Sequence, residues 1–406
     1  MSALVEASAD AAAGDRLARR NALVLAVAQA LAGGNNTIVL ATGGIVGAML
    51  APDKSLATLS ISIYVFGLWL GTLPYGWLAR NLGRRAAFQI GTVCGVLTGL
   101  ICYYAVLQNS FLIFCAGTFF GGLYGAAHMA YRFAAADTAS EAFRPKAISW
   151  VLIGGVFAAV VGSQTVIFSK DLWPPYLFAA TYIAQAGLAA LSALVLIFVN
   201  IPRPPRQASA GAGRPLMEIA RQPRFIVAVA CGVASYAMMN LVMTSAPLAM
   251  VMCNHSVTDA TLGLQWHVIG MFAPSLFTGA LILRVGVERI VALGLALIAV
   301  AAIVGIAGIT LWHFWIGLVL LGLGWNFALI GATTMVTACH RPNERNKVQA
   351  FNDFLVFGSM AIGSFSSGAV LAKFGWPAVN QVVFPVVLVA GALLIWQMLR
   401  AKARAA

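Results

Sequence analysis

Long apolar runs recur along almost the whole chain, and they restrict its fold more than any other feature. Each run has about 20 residues, the length at which an α-helix crosses the hydrocarbon core of a bilayer. Together the runs extend from Asn21 to Arg400. Only 9% of the residues are charged, whereas a soluble domain carries roughly 25% charged residues. The sequence therefore excludes a water-soluble fold and leaves no room between these runs for a sizeable domain outside the membrane.

The runs predict twelve transmembrane helices and an all-α membrane protein. Only helices and closed barrels satisfy their backbone hydrogen bonds in lipid, and these runs are too long for barrel strands. The predicted spans are residues 21–50, 55–79, 86–107, 111–136, 147–169, 175–200, 224–252, 260–283, 289–311, 313–338, 348–372 and 378–399. The first run follows three arginines, as in a signal peptide, but it is too long for one and is expected to be a retained helix.

The Lys and Arg residues predict the orientation of the spans. Of the 25 Lys and Arg residues, only Lys54, Lys170 and Lys373 fall on the side opposite the N terminus. The positive-inside rule therefore places both termini in the cytoplasm, and we expect a multi-pass protein of the bacterial inner membrane. Because topology explains the net charge of +13, the lipid bilayer is an expected partner and nucleic acid is not.

A linker and an internal repeat divide the chain. Residues 201–223 are rich in Pro, Gly, Ala and Arg and predict a cytoplasmic linker between a six-helix half at 1–200 and another at 224–406. The segment Gly76–Arg85 recurs in degraded form as Gly279–Arg289, 203 residues later. The same offset relates two further loop residues, Glu141 and Arg144, to Glu344 and Lys347. Two loop patterns at one offset predict duplicated halves.

The segment Gly76–Arg85 resembles the motif between the second and third helices of the major facilitator superfamily. The resemblance implies the major facilitator fold, a parallel repeat of six-helix halves and secondary transport by alternating access. The family's motif usually has an acidic residue where this sequence has Arg80. We predict that Arg80 pairs instead with Asp353, and Arg84 with Asp137, as gating contacts; alternatively, Arg80 only obeys the positive-inside rule.

Two consecutive predicted spans contain pairs of metal-ligand side chains. Met239 and Met243 are four residues apart, as are His267 and Met271, so each pair lies on one face of its helix. Thioether and neutral imidazole groups favour Cu(I) over hard cations, whereas zinc prefers thiolates or further histidines. Packing in a helical core is the alternative role for these methionines.

The order of these motifs, MxxxM and then HxxxM, resembles that in the CcoA-like copper importers, a subgroup of the same superfamily. The resemblance implies that Met239, Met243, His267 and Met271 bind copper as the transported substrate, with no permanently bound cofactor. Periplasmic or cytoplasmic copper carriers would be further partners. The subgroup also includes proteins proposed to import riboflavin. The alternative is therefore a carrier of riboflavin or another organic solute, with aromatic stacking on Tyr64, Trp266 or Trp325.

Secondary ligand candidates are more scattered along the chain. They are His128 and Met129 in the fourth span and Cys231 and Cys253 in the seventh. Packing is the alternative role for these side chains, because the six cysteines lack CxxC spacing. The chain shows no Walker loop and no nucleophile–base pair, so we expect a transporter that is neither an enzyme nor driven by ATP.

Prolines and small residues near the predicted midplane suggest where helices open. Pro247 frees the carbonyl of Met243 from its helical hydrogen bond, and Pro274 does the same for Gly270. We expect both helices to bend or open there, as transporter helices do at binding sites. By the offset of 203 residues, Met239 and Met243 correspond to Asn36 and Leu40, so we expect the site to belong mainly to the second half, with Gly33–Asn36 facing it.

Overall fold

The computed structural model describes most of the chain. The described residues are 2–140, 143–201, 213–341 and 344–405. Their side chains are described except at residues 2–15, 145, 345–346 and 401–405. Residues 202–212 of the predicted linker and Glu141 of the predicted repeat lie outside the described residues.

The described residues form fifteen α-helices and one short 3-10 helix, Lys54–Leu56, and they include no β-strand. In chain order the α-helices are α1 (Ser2–Leu50), α2 (Leu59–Asn81), α3 (Arg84–Leu107), α4 (Phe111–His128), α5 (Tyr131–Asp137), α6 (Arg144–Ser169), α7 (Ala179–Leu196), α8 (Leu216–Ala220), α9 (Pro223–Met252), α10 (Val257–Phe272), α11 (Ser275–Val285), α12 (Val287–Ala307), α13 (Leu311–Thr337), α14 (Arg345–Gln381) and α15 (Val383–Ala405). The predicted all-α fold class is confirmed.

The lengths of these helices accommodate twelve spans. Within the described residues, ten helical stretches are long and apolar enough to cross a membrane, and the bent pair α10 and α11 makes an eleventh. One of the ten, Lys347–Arg400, has 54 residues, which is about 80 Å of helix and enough to cross the bilayer core twice. Gly375, with φ of 77°, breaks its helical path, in a conformation that residues with a Cβ rarely adopt. This stretch therefore contains the last two spans.

Two other predicted spans, the fourth and the eighth, each consist of two helices with a break between them. The fourth changes from α4 to α5 after His128, and the eighth changes from α10 to α11 with a bend of 44°. The second break lies at Pro274, which has no N–H to continue the helix, as predicted. In contrast, α9 passes through Pro247 as one continuous helix. The helix therefore does not open at Pro247, and a bend there stays a prediction.

The chain divides into two compact units. The first contains Met1–Pro52 and Ile63–Pro205, and the second contains Asp53–Ser62 and Arg206–Ala406. The short segment Asp53–Ser62 is thus grouped with helices that follow it by almost 300 residues. The predicted boundaries of the halves, 1–200 and 224–406 with a linker at 201–223, remain predictions.

In the first unit, small residues allow α1 to pack closely on α6. A Cβ added to Gly162 would lie 2.5 Å from the carbonyl oxygen of Gly34, so the two backbones are in direct contact. Asn35 faces α7 instead, where Gln185 Nε2 donates to Asn35 Oδ1 at 2.9 Å. Asn35 Nδ2 donates in return to the Gln185 carbonyl oxygen at 3.0 Å. Gly34 and Asn35 therefore hold α1 against α6 and α7, and the expectation that Gly33–Asn36 faces a transport site stays a prediction.

Helix α9 is central to the second unit. It packs against α10, α13, α14 and α15, and every side chain from Ala234 to Met250 is buried. Asn240 and Thr244 lie within this segment, although polar groups are costly to bury without partners. The burial of Asn240 and Thr244 in α9 therefore needs a structural or functional reason.

The segment Asp53–Ser62 packs on α14 through small hydroxyl side chains. Ser62 Oγ lies 3.1 Å from Ser364 Oγ, and Ser367 Oγ donates to Thr58 Oγ1 at 3.4 Å. Gly368 provides the space, because a Cβ there would overlap the Thr58 hydroxyl. The first turn of α2 is thus fixed to the second unit, while the rest of α2, from Ile63 onward, belongs to the first unit.

The described end of the linker is held by a buried carboxylate. Glu344 is fully buried and accepts hydrogen bonds from Arg214 Nε at 2.9 Å and Arg214 Nη2 at 2.7 Å. The backbone N–H groups of Arg214 and Arg341 also donate to it, and Lys347 donates to the Arg214 carbonyl oxygen. The internal repeat identified Glu344 and Lys347 only as repeated residues, and the sequence gave no indication of their contact with Arg214.

Candidate transport site

The methionines predicted as ligands on α9 are deeply buried. Met239 is 1% exposed and Met243 is 4% exposed. They are four residues apart and so lie on the same side of α9. The neighbouring Met238 is also buried, because α9 is enclosed on every side. Burial alone therefore does not distinguish a ligand from a packing residue on this helix.

The ring of His267 on α10 is fixed in one orientation. Its Nδ1 lies 2.7 Å from the carbonyl oxygen of Leu318 on α13. Because a carbonyl oxygen only accepts hydrogen bonds, Nδ1 carries the proton and Nε2 keeps a free lone pair. Nε2 is buried and has no hydrogen-bond partner among the described residues. His267 thus presents Nε2 as an acceptor or a ligand, an orientation typical of metal-binding histidines.

Met271, the fourth predicted ligand, precedes the break in the eighth span. Its side chain is 8% exposed, and its carbonyl oxygen accepts a hydrogen bond from Asn326 Nδ2 at 2.6 Å. Asn326 Nδ2 also donates to Ser275 Oγ at 2.6 Å, and Thr278 Oγ1 donates to Asn326 Oδ1 at 2.7 Å. Asn326 of α13 therefore joins both sides of the break. The sequence gave no indication of this role.

The four predicted ligands lie on α9 and α10, which pack against each other. In the described part of the chain, no three His, Cys, Asp or Glu side chains are grouped so that they could hold a metal ion. A metal site at these residues would therefore consist of Met sulfur atoms and one imidazole. That donor set suits a soft monovalent cation, and the convergence of the four side chains stays a prediction.

An aromatic cluster lies beside these residues in the second unit. Tyr236 of α9 meets Trp325 of α13 edge-on, with ring centroids 5.3 Å apart, and meets Phe357 of α14 at 5.7 Å. Phe272, at the end of α10, lies 6.3 Å from Trp325. Rings from four helices thus come together in the second unit, and aromatic rings are groups against which a planar aromatic solute packs favourably.

Sequence reasoning identified only one member of this cluster, Trp325. Tyr236, Phe272 and Phe357 lie on three different helices, and their assembly with Trp325 in one cluster has no signal in the sequence. The two other aromatic residues proposed for stacking are not among these four rings. Tyr64 packs against Gly121 and Gly125 in the first unit, and 45% of Trp266 is exposed.

The secondary ligand candidates have the following surroundings in the structure. His128 ends α4 between Tyr124 and Tyr131, at ring-centroid distances of 6.2 and 6.3 Å, and Met129 follows it in the break between α4 and α5. Cys231 directs its thiol at the Ala390 carbonyl oxygen, 3.8 Å away. Cys253 lies at the end of α9. Ligand roles for these four residues stay predictions.

One of the two predicted gating pairs is formed. Arg84 Nε donates to Asp137 Oδ2 at 2.6 Å, and Arg84 also reaches the Tyr75 hydroxyl. Arg80 belongs to the first unit and Asp353 to the second, and their pairing stays a prediction. The gating role of all four charged residues likewise stays a prediction.

Known proteins similar to this chain define its class. A family model of the Major Facilitator Superfamily matches residues 25–265 and 228–405, so the chain belongs to that superfamily of transporters. It is 48% identical over 391 residues to the riboflavin transporter RfnT of Brucella anthropi, covering 96% of this chain and 98% of the relative. It is 27% identical over 390 residues to the uncharacterized MFS-type transporter YddS of Bacillus subtilis, covering 90% and 89% of the two chains.

Solved structures agree with the fold. The crystal structure of the human organic anion transporter MFSD10 (TETRAN) has a TM-score of 0.68 at 15% identity, and it covers 93% of this chain and 99% of that one. A mutant of the nucleoside transporter NupG has a TM-score of 0.73 at 14% identity, with the same coverage. Both likenesses concern the fold alone. The predicted major facilitator fold is confirmed.

Proposed function

We propose that the chain transports riboflavin, or a closely related planar heteroaromatic solute, as a secondary transporter. The observation that carries the proposal is its 48% identity to the riboflavin transporter RfnT over almost the full length of both chains. The sequence alone favoured copper as the substrate and riboflavin as the alternative, and the proposal reverses that ranking. Identity of this extent favours a shared class of substrate, although a shared fold alone does not.

The aromatic cluster supports this choice of substrate. Riboflavin consists of a flat, three-ring isoalloxazine system and a polyhydroxylated chain. A flat ring system gains most from contact with aromatic side chains, by stacking or edge-on packing. Tyr236, Trp325, Phe357 and Phe272 provide four such rings within a single unit.

The proposed transport cycle needs no nucleotide. In this superfamily a site near the middle of the membrane is exposed to each side in turn by movement of the two halves. The uneven distribution of Lys and Arg supports an inner-membrane protein with both termini in the cytoplasm. We propose import as the direction, with the solute entering from the periplasm.

Replacing Trp325 tests the proposed site. In cells that depend on external riboflavin, Trp325→Ala should reduce uptake of labelled riboflavin by about tenfold or more. The substitution removes the ring that contacts both Tyr236 and Phe272. Trp266→Ala is the matched control, since that tryptophan is 45% exposed and lies outside the cluster. Equal uptake by both variants, at equal amounts in the membrane, would contradict the site.

Copper import is a second candidate, favoured by the orientation of His267. The Leu318 carbonyl oxygen fixes the proton on Nδ1, so Nε2 is prepared to bind a soft cation together with Met239, Met243 and Met271. His267→Ala should then abolish copper accumulation by cells, whereas Met238→Ala, at a buried methionine outside the set, should not. Unchanged copper accumulation by His267→Ala would eliminate this candidate.

A further inference from the structure

Asn240 carries a buried hydrogen-bond acceptor that the protein does not use. The residue is fully buried in α9, and its Nδ2 donates to the carbonyl oxygen of Met360 on α14 at 3.1 Å. This bond fixes the orientation of the amide. Asn240 Oδ1 has no hydrogen-bond partner in the described part of the chain. An amide oxygen in this position is costly to desolvate unless something else donates to it.

Trp325 carries the complementary group. Its side chain is 8% exposed, and its Nε1–H has no acceptor among the residues that the structure describes. Indole Nε1–H is a donor only. The second unit therefore contains one unused acceptor and one unused donor, both buried.

Helix geometry places Asn240 one turn from Tyr236, the residue whose ring Trp325 contacts. The ring of Trp325 contacts Tyr236, and Asn240 lies four residues after Tyr236 on α9, about 6 Å along the helix and on the same side. One turn of helix is shorter than a three-ring solute. A molecule of that size against the aromatic cluster is therefore long enough to extend from the Tyr236–Trp325 contact to the level of Asn240.

We propose that Asn240 and Trp325 recognise the pyrimidine edge of a flavin and so determine specificity; this inference rests on the proposed riboflavin transport. In that ring an imide N–H at position 3 lies between two carbonyl groups. Asn240 Oδ1 accepts the hydrogen bond from the imide N–H, and Trp325 Nε1–H donates to a neighbouring carbonyl oxygen. The substrate class is a planar heteroaromatic molecule with an adjacent amide N–H and C=O, and the cluster packs against its rings.

Two roles are possible for Asn240, a structural role in helix packing and a role in ligand recognition, and they make different predictions. A structural role for Asn240 needs only its Nδ2 bond to Met360, which ties α9 to α14 whatever the ligand. Recognition instead requires a hydrogen bond from the ligand's imide N–H to Asn240 Oδ1. Comparison of riboflavin with 3-methylriboflavin, which lacks the imide N–H, separates the two roles.

The test measures binding to purified protein by the quenching of flavin fluorescence. Wild-type protein should bind 3-methylriboflavin about tenfold more weakly than riboflavin, the effect of one buried hydrogen bond. Asn240→Leu should bind riboflavin about tenfold more weakly than wild type and bind the two flavins almost equally. For an analogue altered on the benzenoid ring, the change in affinity relative to riboflavin should be the same in wild type and in Asn240→Leu.

Trp325→Phe provides an independent variant if Asn240→Leu does not fold. It keeps a ring in the cluster and removes only the N–H, so riboflavin binding should weaken several-fold. The inference is overturned if wild type binds riboflavin and 3-methylriboflavin equally, or if folded Asn240→Leu keeps the wild-type preference. If wild type binds no riboflavin, the proposed function itself fails.

Discussion

Glu344 shows, at the scale of single residues, how a buried charge is stabilised in this protein. Hydrogen bonds from the Arg214 side chain are the main cause that lowers the pKa of Glu344 well below its ordinary value of 4.5, and the backbone N–H of Arg341 adds to the effect. A carboxyl whose pKa is lowered by folding stabilises the protein above its unfolded pKa, and the contribution is lost as the pH falls. The carboxylate therefore stays charged, and holds the linker, throughout the neutral range.

Replacing this carboxylate should lower stability in a pH-dependent way. At pH 7 we expect Glu344→Gln to unfold at a temperature lower by several degrees, because the Arg214 side chain and the backbone donors around residue 344 lose a buried, charged acceptor. The difference from wild type should shrink as the pH is lowered through about 4.5. Scanning fluorimetry of the detergent-solubilised protein measures both effects.

A more exposed ion pair provides the control for this prediction. Arg224 and Glu288 are 3.5 Å apart, with side chains 46% and 30% exposed. Pairs of this kind contribute little to stability, so Glu288→Gln should leave the unfolding temperature nearly unchanged. A Glu344→Gln protein as stable as wild type at every pH would show that the contact does not stabilise the fold.

The limits of sequence reasoning are clearest at individual side chains. The spacing of Met239 and Met243 places them on one side of α9, but every side of this segment is buried. Periodicity cannot then identify the functional side, because no contrast between polar and apolar faces exists. The unused atoms of Asn240 and Trp325, and the proton on Nδ1 of His267, depend on neighbours distant in sequence, and only the structure reveals them.

At the scale of helices, hydropathy predicted the spans well and their ends less well. Runs of apolar residues gave all twelve spans, because the bilayer sets the length of each. The breaks depend on local chemistry instead. The break at Pro274 was predicted from the missing N–H, whereas the φ of 77° at Gly375 and the break after His128 have no hydropathy signal.

Helix α2 connects the two units and yields a prediction of its own. Its first turn is fixed to α14 by the contact between Ser62 and Ser364, while its remaining residues belong to the first unit. Ser62 lies in the predicted half 1–200 and Ser364 in the predicted half 224–406, so this contact must separate during the cycle if transport moves those halves against each other. A disulfide between Ser62→Cys and Ser364→Cys should then block riboflavin uptake, and a reducing agent should restore it.

The geometry makes this cross-link feasible. The two hydroxyl oxygens are 3.1 Å apart, and the side chains are short enough for Cβ atoms to approach disulfide distance. Each single cysteine variant controls for reaction with the six native cysteines. Full uptake by the oxidised, cross-linked double variant would show that the contact stays closed throughout transport.

At the scale of the whole molecule, composition, charge placement and the repeat predicted a membrane protein with duplicated halves, and the resemblance of Gly76–Arg85 to a family motif implied a major facilitator transporter. Membership of that superfamily is established by similarity over nearly the full chain. The substrate was harder to predict. One fold transports many solutes, and a pair of methionines and a histidine fits copper chemistry as well as helix packing. The aromatic cluster assembles rings from four helices, so no single segment of sequence contains it.

Uptake by liposomes that contain the purified protein tests the central claim most directly. Labelled riboflavin and labelled copper would be supplied separately, at the same protein density, with empty liposomes as the baseline. We predict that riboflavin enters well above this baseline and that excess unlabelled riboflavin abolishes the signal. Entry of copper without any entry of riboflavin would contradict the claim.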